Sequence, residues 1–362
     1  MLASLLKSIL SRHPREKRSI DGVFIRELAQ MAGQKLQVVE DDNIDLDRYA
    51  AGVDPHARAA KWCQATVQDL AAHAADYGAA HDRLEDQESR DWFTQLVAYR
   101  LLGPRHVRLP SNTPAHWETR EKVKAMCSTQ VAPMFGPLGG YEVDFAGHRI
   151  ALQAWWVNIA WSFFFRQYYF SRAAASIMPE DGDRVIDAGA CFGDTALGFA
   201  ATVGVRGRVL AFEIEPRNAA VARSNISRNP ALAERIDLRE CALADTDKPL
   251  YLHGAGPGAY VDSRASPHKL QVATIDTLLE AGELDRVDFI KMDIEGAEAK
   301  ALAGAERTLR RFRPKLAISV YHTPVHLWCI ANWLDSLRLG YRFYIDHYTI
   351  HYEETVLYAI AR

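Results

Sequence analysis

The 362-residue sequence has no apolar run of membrane-spanning length. A spanning helix needs about 18 to 20 apolar residues. The most apolar stretch, IALQAWWVNIAWSFFF, is broken by Gln153, Asn158 and Ser162, so no transmembrane span is expected. The chain also lacks an excess of either charge: 43 basic residues stand against 46 acidic ones, a formal net of -3. That balance offers no nucleic-acid footprint and no general attraction to anionic membranes. Metal-ligand and redox spacings are missing as well. Cys63, Cys127, Cys191, Cys241 and Cys329 lie far apart with no CxxC, a pattern that suits buried thiols in a reducing compartment and makes a cytoplasmic location the expectation. MLASLLKSILSRHPREKR at the N-terminus has neither the basic n-region nor the small-residue cleavage site of a secretory signal, and reads as a helix. Internal repeats and low-complexity tracts are absent.

What is there divides near TQVAPMFGPLGGYE, residues 129–142, where proline and glycine cluster. The expected domains are a mainly helical one over 1–135, for substrate or partner contacts, and a catalytic one over 136–362. In the first, LEDQESRDWFTQLVAYRLLG offers Asp86 as an N-cap and a one-face stripe of Trp92, Leu96 and Tyr99. In the second, short β-branched runs alternate with helical segments, which predicts an α/β, doubly wound sheet covered by helices. Seven strands are expected at 184–189, 208–213, 235–240, 287–293, 315–321, 341–346 and 355–360, the last two antiparallel because only a short link joins them. The helix after the fifth strand is expected to take Thr323 as cap, Pro324 at its first position and Gly340 as its stop.

Ligands of such sheets collect beyond the carboxyl ends of the strands, and the first strand here leads into VIDAGACFGDT. Gly189 and Gly193 allow a tight turn and close approach to a ligand, and the following helix aims its amides at an acceptor group. A dinucleotide fingerprint needs G-x-G-x-x-G, whereas this turn runs from Asp187 through Gly189 to Gly193 with Cys191 at the middle position. Pyrophosphate is therefore disfavoured. Glu213 ends the second strand, where a carboxylate can accept hydrogen bonds from a ribose diol. Asp187, the turn and Glu213 together describe a pocket for a nucleoside with a zwitterionic tail, such as S-adenosylmethionine.

From about residue 165 to the C-terminus the chain resembles the FkbM family of S-adenosylmethionine-dependent methyltransferases. The resemblance rests on VIDAGACFGDT, AFEIEPRN, ECALAD, VATIDTLL, VDFIKMDIEGAE and SVYH; Ile214 departs from the proline more usual after the acid. It implies a class I, Rossmann-like fold and a cofactor site drawn from Asp187, Gly189, Ala190, Phe192, Gly193, Asp194, Thr195, Glu213, Ile214, Cys241, Ala242 and Asp293. It further implies O-methylation of a hydroxyl, on a sugar of a surface glycan or on a natural product. The N-terminal third shares only loose similarity, through LEDQESRDWFTQLVAYRLLG, with longer bacterial members.

Two residues are candidates for the base. Asp293 ends the fourth strand and faces the crevice; His322 follows the fifth, next to a helix N-terminus expected to keep its imidazole neutral. Against this, loop histidines facing solvent are common among the 13 of the chain. Glu295 and Glu298 are read as carboxylates opening a helix, although with Asp293 they offer an alternative Mg²⁺ site. Cys191 reads as packing, and Asp194 and Thr195 also suit a helix N-terminus. The aromatic block assigns Trp155, Trp161, Phe163 and Phe164 to packing between the domains and leaves Gln167 and Tyr168 as minor candidates for cofactor contact. LHGAGPGAYVDSR reads equally as a lid or a hairpin. The competing classes are a non-catalytic module built on the same fold and, less favoured by the turn spacing, a nicotinamide oxidoreductase. The expected partner is a small-molecule or glycan acceptor, and homo-oligomerisation is left open.

Overall fold

Largely buried runs become the inner strands of a sheet covered on both faces, and a less buried run forms its edge. In the computed structural model these are β1 (Arg184–Ala188), β2 (Arg208–Phe212), β3 (Ile236–Arg239), β4 (Phe289–Met292), β5 (Lys315–Ser319), β6 (Tyr341–His347) and β7 (Thr355–Ala361). The main helices are α1 (Pro55–Arg83), α2 (Gln87–Leu102), α3 (Asp194–Thr202), α4 (Pro216–Ser227), α5 (Glu298–Ala303) and α6 (His326–Ser336). The structure describes residues 55–131, 138–172, 175–253 and 260–361, with 24, 26–28, 30, 43–45 and 47 before them; the helix read at the N-terminus lies outside these. No helix among the described residues is long and apolar enough to cross a membrane.

The seven strands form one mixed sheet in the order β6-β7-β5-β4-β1-β2-β3. From β5 across to β3 every pairing is parallel: Phe289 of β4 faces Val185 of β1 and Lys315 of β5, and Arg184 of β1 faces Arg208 of β2. Strand order reverses between β1 and β4, so the crevice of a doubly wound sheet falls at the carboxyl ends of these two.

The chain forms two compact units, residues 1–116 with 320–357 and 362, and residues 117–319 with 358–361. In the first, Asp86 caps α2 by accepting from the Ser89 amide at 2.8 Å, and Gly103 ends it at φ 76°. Leu96 and Tyr99 of the expected stripe are buried, while Trp92 is half-buried with its ring 5.4 Å from that of His347. Asp69 ties α1 to α6, accepting from the Tyr77 hydroxyl at 2.8 Å and the Trp328 indole at 2.9 Å. α6 begins later than its sequence suggests. Thr323 accepts the His326 amide through both its carbonyl and its hydroxyl, and Pro324 and Val325 complete a turn before the helix proper.

The second unit holds the parallel strands. An antiparallel hairpin, Leu138–Phe145 with His148–Ala154, is clamped to α4 by two asparagines. Asn225, fully buried, accepts from the Gln153 amide and donates to the Gln153 and Phe192 carbonyls, each at 2.8 Å. Asn229 does the same for Ala151, accepting at 3.0 Å and donating at 2.8 Å. The amide groups substitute for a missing strand neighbour, which satisfies backbone that would otherwise be buried without partners. Within LHGAGPGAYVDSR, Leu250–His253 pairs antiparallel with Tyr260–Asp262, which is the hairpin reading; residues 254–259 lie outside the described ones. The five cysteines are free thiols, and all are half-buried rather than fully buried as expected.

Candidate functional site

The turn after β1 is shaped by left-handed backbone at Gly189 (φ 83°), Cys191 (φ 47°) and Gly193 (φ 78°). Gly189 has no room for a side chain: a Cβ there would lie 1.8 Å from the Asp293 carbonyl oxygen. The Gly189 and Ala190 amides both donate to the Phe212 carbonyl at 2.9 Å, and the Gly193 amide closes the turn on Ala190 at 2.7 Å. α3 then starts at Asp194 with Gly193 as its N-cap and no capping side chain, which leaves its first-turn amides to an anionic group.

Asp187 is fully buried and spent internally. Its Oδ2 accepts from the Thr195 hydroxyl at 2.7 Å, and its Oδ1 pairs with the Lys291 ammonium at 3.0 Å. Lys291 lies opposite Asp187 in the register of β4 and β1, and is itself buried. Its Nζ also donates to the Gly189 carbonyl at 2.6 Å and the Ala188 carbonyl at 3.2 Å. Burial alone would lower this ammonium, but Asp187, then Asp293 and Asp194, outweigh it and hold the lysine above its ordinary value. The pair therefore works from behind the turn, fixing the direction of its carbonyls. Lys291 is not among the residues that the sequence analysis names; the signal available there is a lone lysine inside the apolar strand run FIKM, and its pairing with Asp187 comes from strand register.

Glu213 reaches from the end of β2 into the turn. Its Oε2 accepts the Cys191 amide at 2.7 Å and its Oε1 the Glu215 amide at 2.8 Å. A carboxylate has about four acceptor positions, so about two remain for a diol. Burial pushes its pKa up to about 7, against the two amides and Lys291. Asp194 is also buried; its Oδ2 accepts from the Ser162 hydroxyl at 2.5 Å and its Oδ1 from Asn158 at 3.5 Å. Burial raises it to about 6. Ser162 sits in a π-helical stretch, Ala160–Phe164, entered from the short helix Trp156–Ile159. The polar residues that interrupt the aromatic block thus anchor the cofactor turn. Trp155 packs edge-on against Phe192 at 4.9 Å and Phe163 against Phe145 at 5.3 Å, while Trp161 and Phe164 are half-buried.

Asp293 follows β4 directly, half-buried, its amide on the Ala188 carbonyl at 3.0 Å. The Tyr168 hydroxyl donates to its Oδ2 at 2.8 Å, and Gln167 donates to the Tyr168 oxygen at 3.0 Å. Of the two carboxylates expected to open the following helix, Glu298 does so and Glu295 does not. Glu295 is exposed in a loop at φ 54°, and α5 begins only at Glu298, because Glu298 is fully buried and folds back to accept the Ile294 amide at 2.9 Å and the Gly296 amide at 3.3 Å. Asp293 and Glu298 offer oxygens within 4.8 Å of one another, but Glu295 stands outside that cluster, and one Glu298 oxygen is already committed to amides. The three-carboxylate Mg²⁺ site is therefore not supported.

Of the other expected residues, Ala190, Phe192 and Ala242 are buried, and Ile214 and Cys241 half-buried beyond the ends of β2 and β3. Asp187, Gly189, Ala190, Phe192, Gly193, Asp194, Thr195, Glu213, Ile214, Cys241, Ala242 and Asp293 all fall in one compact unit. His322 falls in the other, where its ring lies 4.1 Å from that of Tyr321 and the turn 323–325 separates it from α6.

Residues 187–343 match the Methyltransferase FkbM domain. The crystal structure of Methyltransferase FkbM from Methylobacillus flagellatus KT resembles the chain with a TM-score of 0.52 and 21% identity, covering 82% of this chain and 62% of that one. An O-methyltransferase from Bacillus cereus in complex with SAH has a TM-score of 0.34 and 16% identity over 49% of this chain and 74% of its own. A SAM-dependent methyltransferase from Aquifex aeolicus gives 0.32 and 15% over 51% and 84%. No curated protein matches significantly. The chain thus resembles the FkbM methyltransferases and shares their Rossmann-like fold, while spanning less than two thirds of the length of the M. flagellatus structure.

Proposed function

We propose that this protein is a cytoplasmic S-adenosylmethionine-dependent O-methyltransferase acting on a hydroxyl, of a sugar in a surface glycan or of a natural product. In this reading the sheet is mostly parallel with a reversed edge at β6 and β7. The observation that carries the proposal is the carboxylate of Glu213 inside the glycine turn, bonded to the Cys191 amide at 2.7 Å with acceptor positions to spare. That arrangement joins a diol acceptor to a helix N-terminus without a capping side chain, and the missing Cβ of Gly189 lets the turn pack directly against the Asp293 carbonyl at the end of β4. A nucleoside bearing an amino-acid tail fits both ends. Asp187 and Lys291 support the turn from behind, Glu213 holds the ribose, the turn and α3 take the carboxylate tail, and Ile214, Cys241 and Ala242 border the base. When bound, S-adenosylmethionine supplies a methyl group activated by a sulfonium.

The rest of the chemistry belongs to the chain. An alcohol is a poor nucleophile until its proton leaves, so a carboxylate or neutral imidazole must accept that proton. In this reading Asp293, at the end of β4 beside the turn, orients and deprotonates the acceptor hydroxyl, and His322 is the alternative base. A positioned base contributes about a hundredfold to ten-thousandfold, and fixing two reactants in line contributes about 7 to 11 kcal/mol. The test is to incubate the protein with tritiated-methyl S-adenosylmethionine and fractionated glycans and small metabolites, and to follow binding of S-adenosylhomocysteine and NADH by calorimetry. The reading expects S-adenosylhomocysteine to bind, NADH not to bind, and label to enter a hydroxyl-bearing fraction. Cofactor binding with no transfer to any fraction would favour the non-catalytic module.

A further inference from the structure

Tyr168 combines features that packing alone does not require. Its backbone is left-handed at φ 75°, a conformation that is unfavourable for a bulky residue and persists only when neighbours over-determine it. The neighbours do so here. The Tyr168 amide donates to the Tyr358 hydroxyl at 3.0 Å, Tyr358 is fully buried, and its ring stacks on Phe170 at 4.8 Å. The side chain so held is 4% exposed, with its oxygen between two partners: it donates to Asp293 Oδ2 at 2.8 Å and accepts from Gln167 at 3.0 Å. The face of the same ring lies 5.2 Å from the Lys291 ammonium. A phenylalanine would cover Lys291 equally well; only the hydroxyl needs Asp293.

We propose that Tyr168 is a positioning residue for methyl transfer, fixing the orientation of the Asp293 carboxylate through its Oδ2. This inference rests on the reading of the protein as an O-methyltransferase with Asp293 in the acceptor site. Gln167 orients the phenol by occupying its acceptor side, which leaves the hydroxyl hydrogen to point at the carboxylate. The strained backbone is what brings the ring down onto Lys291 and the oxygen onto Asp293 together. Because reacting groups must be held to within a fraction of an ångström, a carboxylate free to rotate loses rate without losing cofactor.

The experiment uses the full chain with tritiated-methyl S-adenosylmethionine and a panel of hexoses, deoxyhexoses and their methyl glycosides, with S-adenosylhomocysteine affinity measured by calorimetry. Tyr168→Phe is expected to lower kcat about tenfold while the affinity for S-adenosylhomocysteine stays within about twofold. Asp293→Asn lowers kcat by about a hundredfold, and adding Tyr168→Phe to it lowers kcat no further, since the two residues act as one unit. Gln167→Leu, which leaves Tyr168 intact, lowers kcat about threefold and keeps the inference testable should Tyr168→Phe not fold. A Tyr168→Phe or Gln167→Leu protein with wild-type kcat overturns the inference. So does a loss of cofactor affinity in step with kcat, which marks a purely structural role. Wild-type protein that binds S-adenosylhomocysteine but methylates nothing in the panel or in cell fractions removes the functional reading, and the inference falls with it; the variants decide the inference only where the wild type is active.

Discussion

Replacing Lys291 by methionine tests the physical core of the site. The ammonium lies 3.0 Å from Asp187 Oδ1, with 1% and 0% of the two side chains exposed. Removing one member of a buried pair leaves the other charge without compensation, at a cost of about 3–5 kcal/mol. The hydrogen bonds from Lys291 to the Ala188 and Gly189 carbonyls disappear in the same substitution. They are part of that cost and are not to be added to it, since neighbouring losses do not sum. Asp187 keeps the Thr195 hydroxyl as a partner, which places the expectation toward the lower end. Urea unfolding followed by tryptophan fluorescence gives the stability difference, and calorimetry gives the affinity for S-adenosylhomocysteine.

The double variant Asp187→Asn/Lys291→Met removes both charges and should recover part of the stability lost in the single one, because a buried ion pair is often worth little beyond its neutral replacement. It should not recover cofactor affinity, since the turn carbonyls stay unanchored. The pH dependence follows in sign. The folded-state pKa of Lys291 is raised above its ordinary 10.5, so its contribution is complete below about pH 10.5 and is lost only as pH rises through the higher folded value. Neutral and mildly alkaline buffers should therefore leave the pair untouched. A Lys291→Met protein within about 1 kcal/mol of wild type, or a double variant less stable than the single, would refute the assignment of this pair as the support of the turn.

Gly189→Ala should be far more damaging than Gly282→Ala. Both positions have left-handed φ, 83° and 75°, but a Cβ meets the Asp293 carbonyl at 1.8 Å in the first and nothing within 4 Å in the second. Thermal melts should show about 1 kcal/mol lost at Gly282, with the Gly189 variant losing several times that and its binding of S-adenosylhomocysteine. Glu213, raised to about 7, favours the fold at low pH, and that contribution is lost as pH rises from about 4.5 through about 7. Binding of a diol to its carboxylate runs the other way: calorimetry should find S-adenosylhomocysteine bound about tenfold more tightly at pH 8 than at pH 5.5, and Glu213→Gln should flatten that slope. Ser162→Ala removes the 2.5 Å hydrogen bond to Asp194 and should cost about 1.5–3 kcal/mol in urea unfolding; a neutral result would mean the π-helical segment does not anchor the turn.

The parallel strands were legible because burial on both faces writes itself as unbroken runs such as RVIDA and FIKM, and strand ends set by such runs move by only a residue or so. The glycine turn was legible for a related reason, since left-handed backbone at 189 and 193 has few solutions other than glycine. Tertiary terms decided the rest. Asp187 reads from spacing alone as a residue facing the ligand, yet its carboxylate is committed to Lys291 and Thr195, a commitment made by strand register that no local pattern displays. Glu295 and Glu298 both read as helix-opening acids; Glu298 does open α5 but is buried and turned back onto the Ile294 and Gly296 amides, and Glu295 is left in the loop before it. The aromatic block was harder still, because its contacts with the turn after β1 and with the end of β4 are made by Asn158, Ser162 and Tyr168, polar groups scattered among the rings. Asn158 and Ser162 meet Cys191 and Asp194 from the short helix and the π-helical stretch, and Tyr168 meets Asp293 after a further left-handed residue, Arg166. A site built this way puts its catalytic candidates on rigid strand ends and its adjustment in the segment before the first strand, so substitutions between 156 and 168 should alter turnover more readily than they alter the sheet.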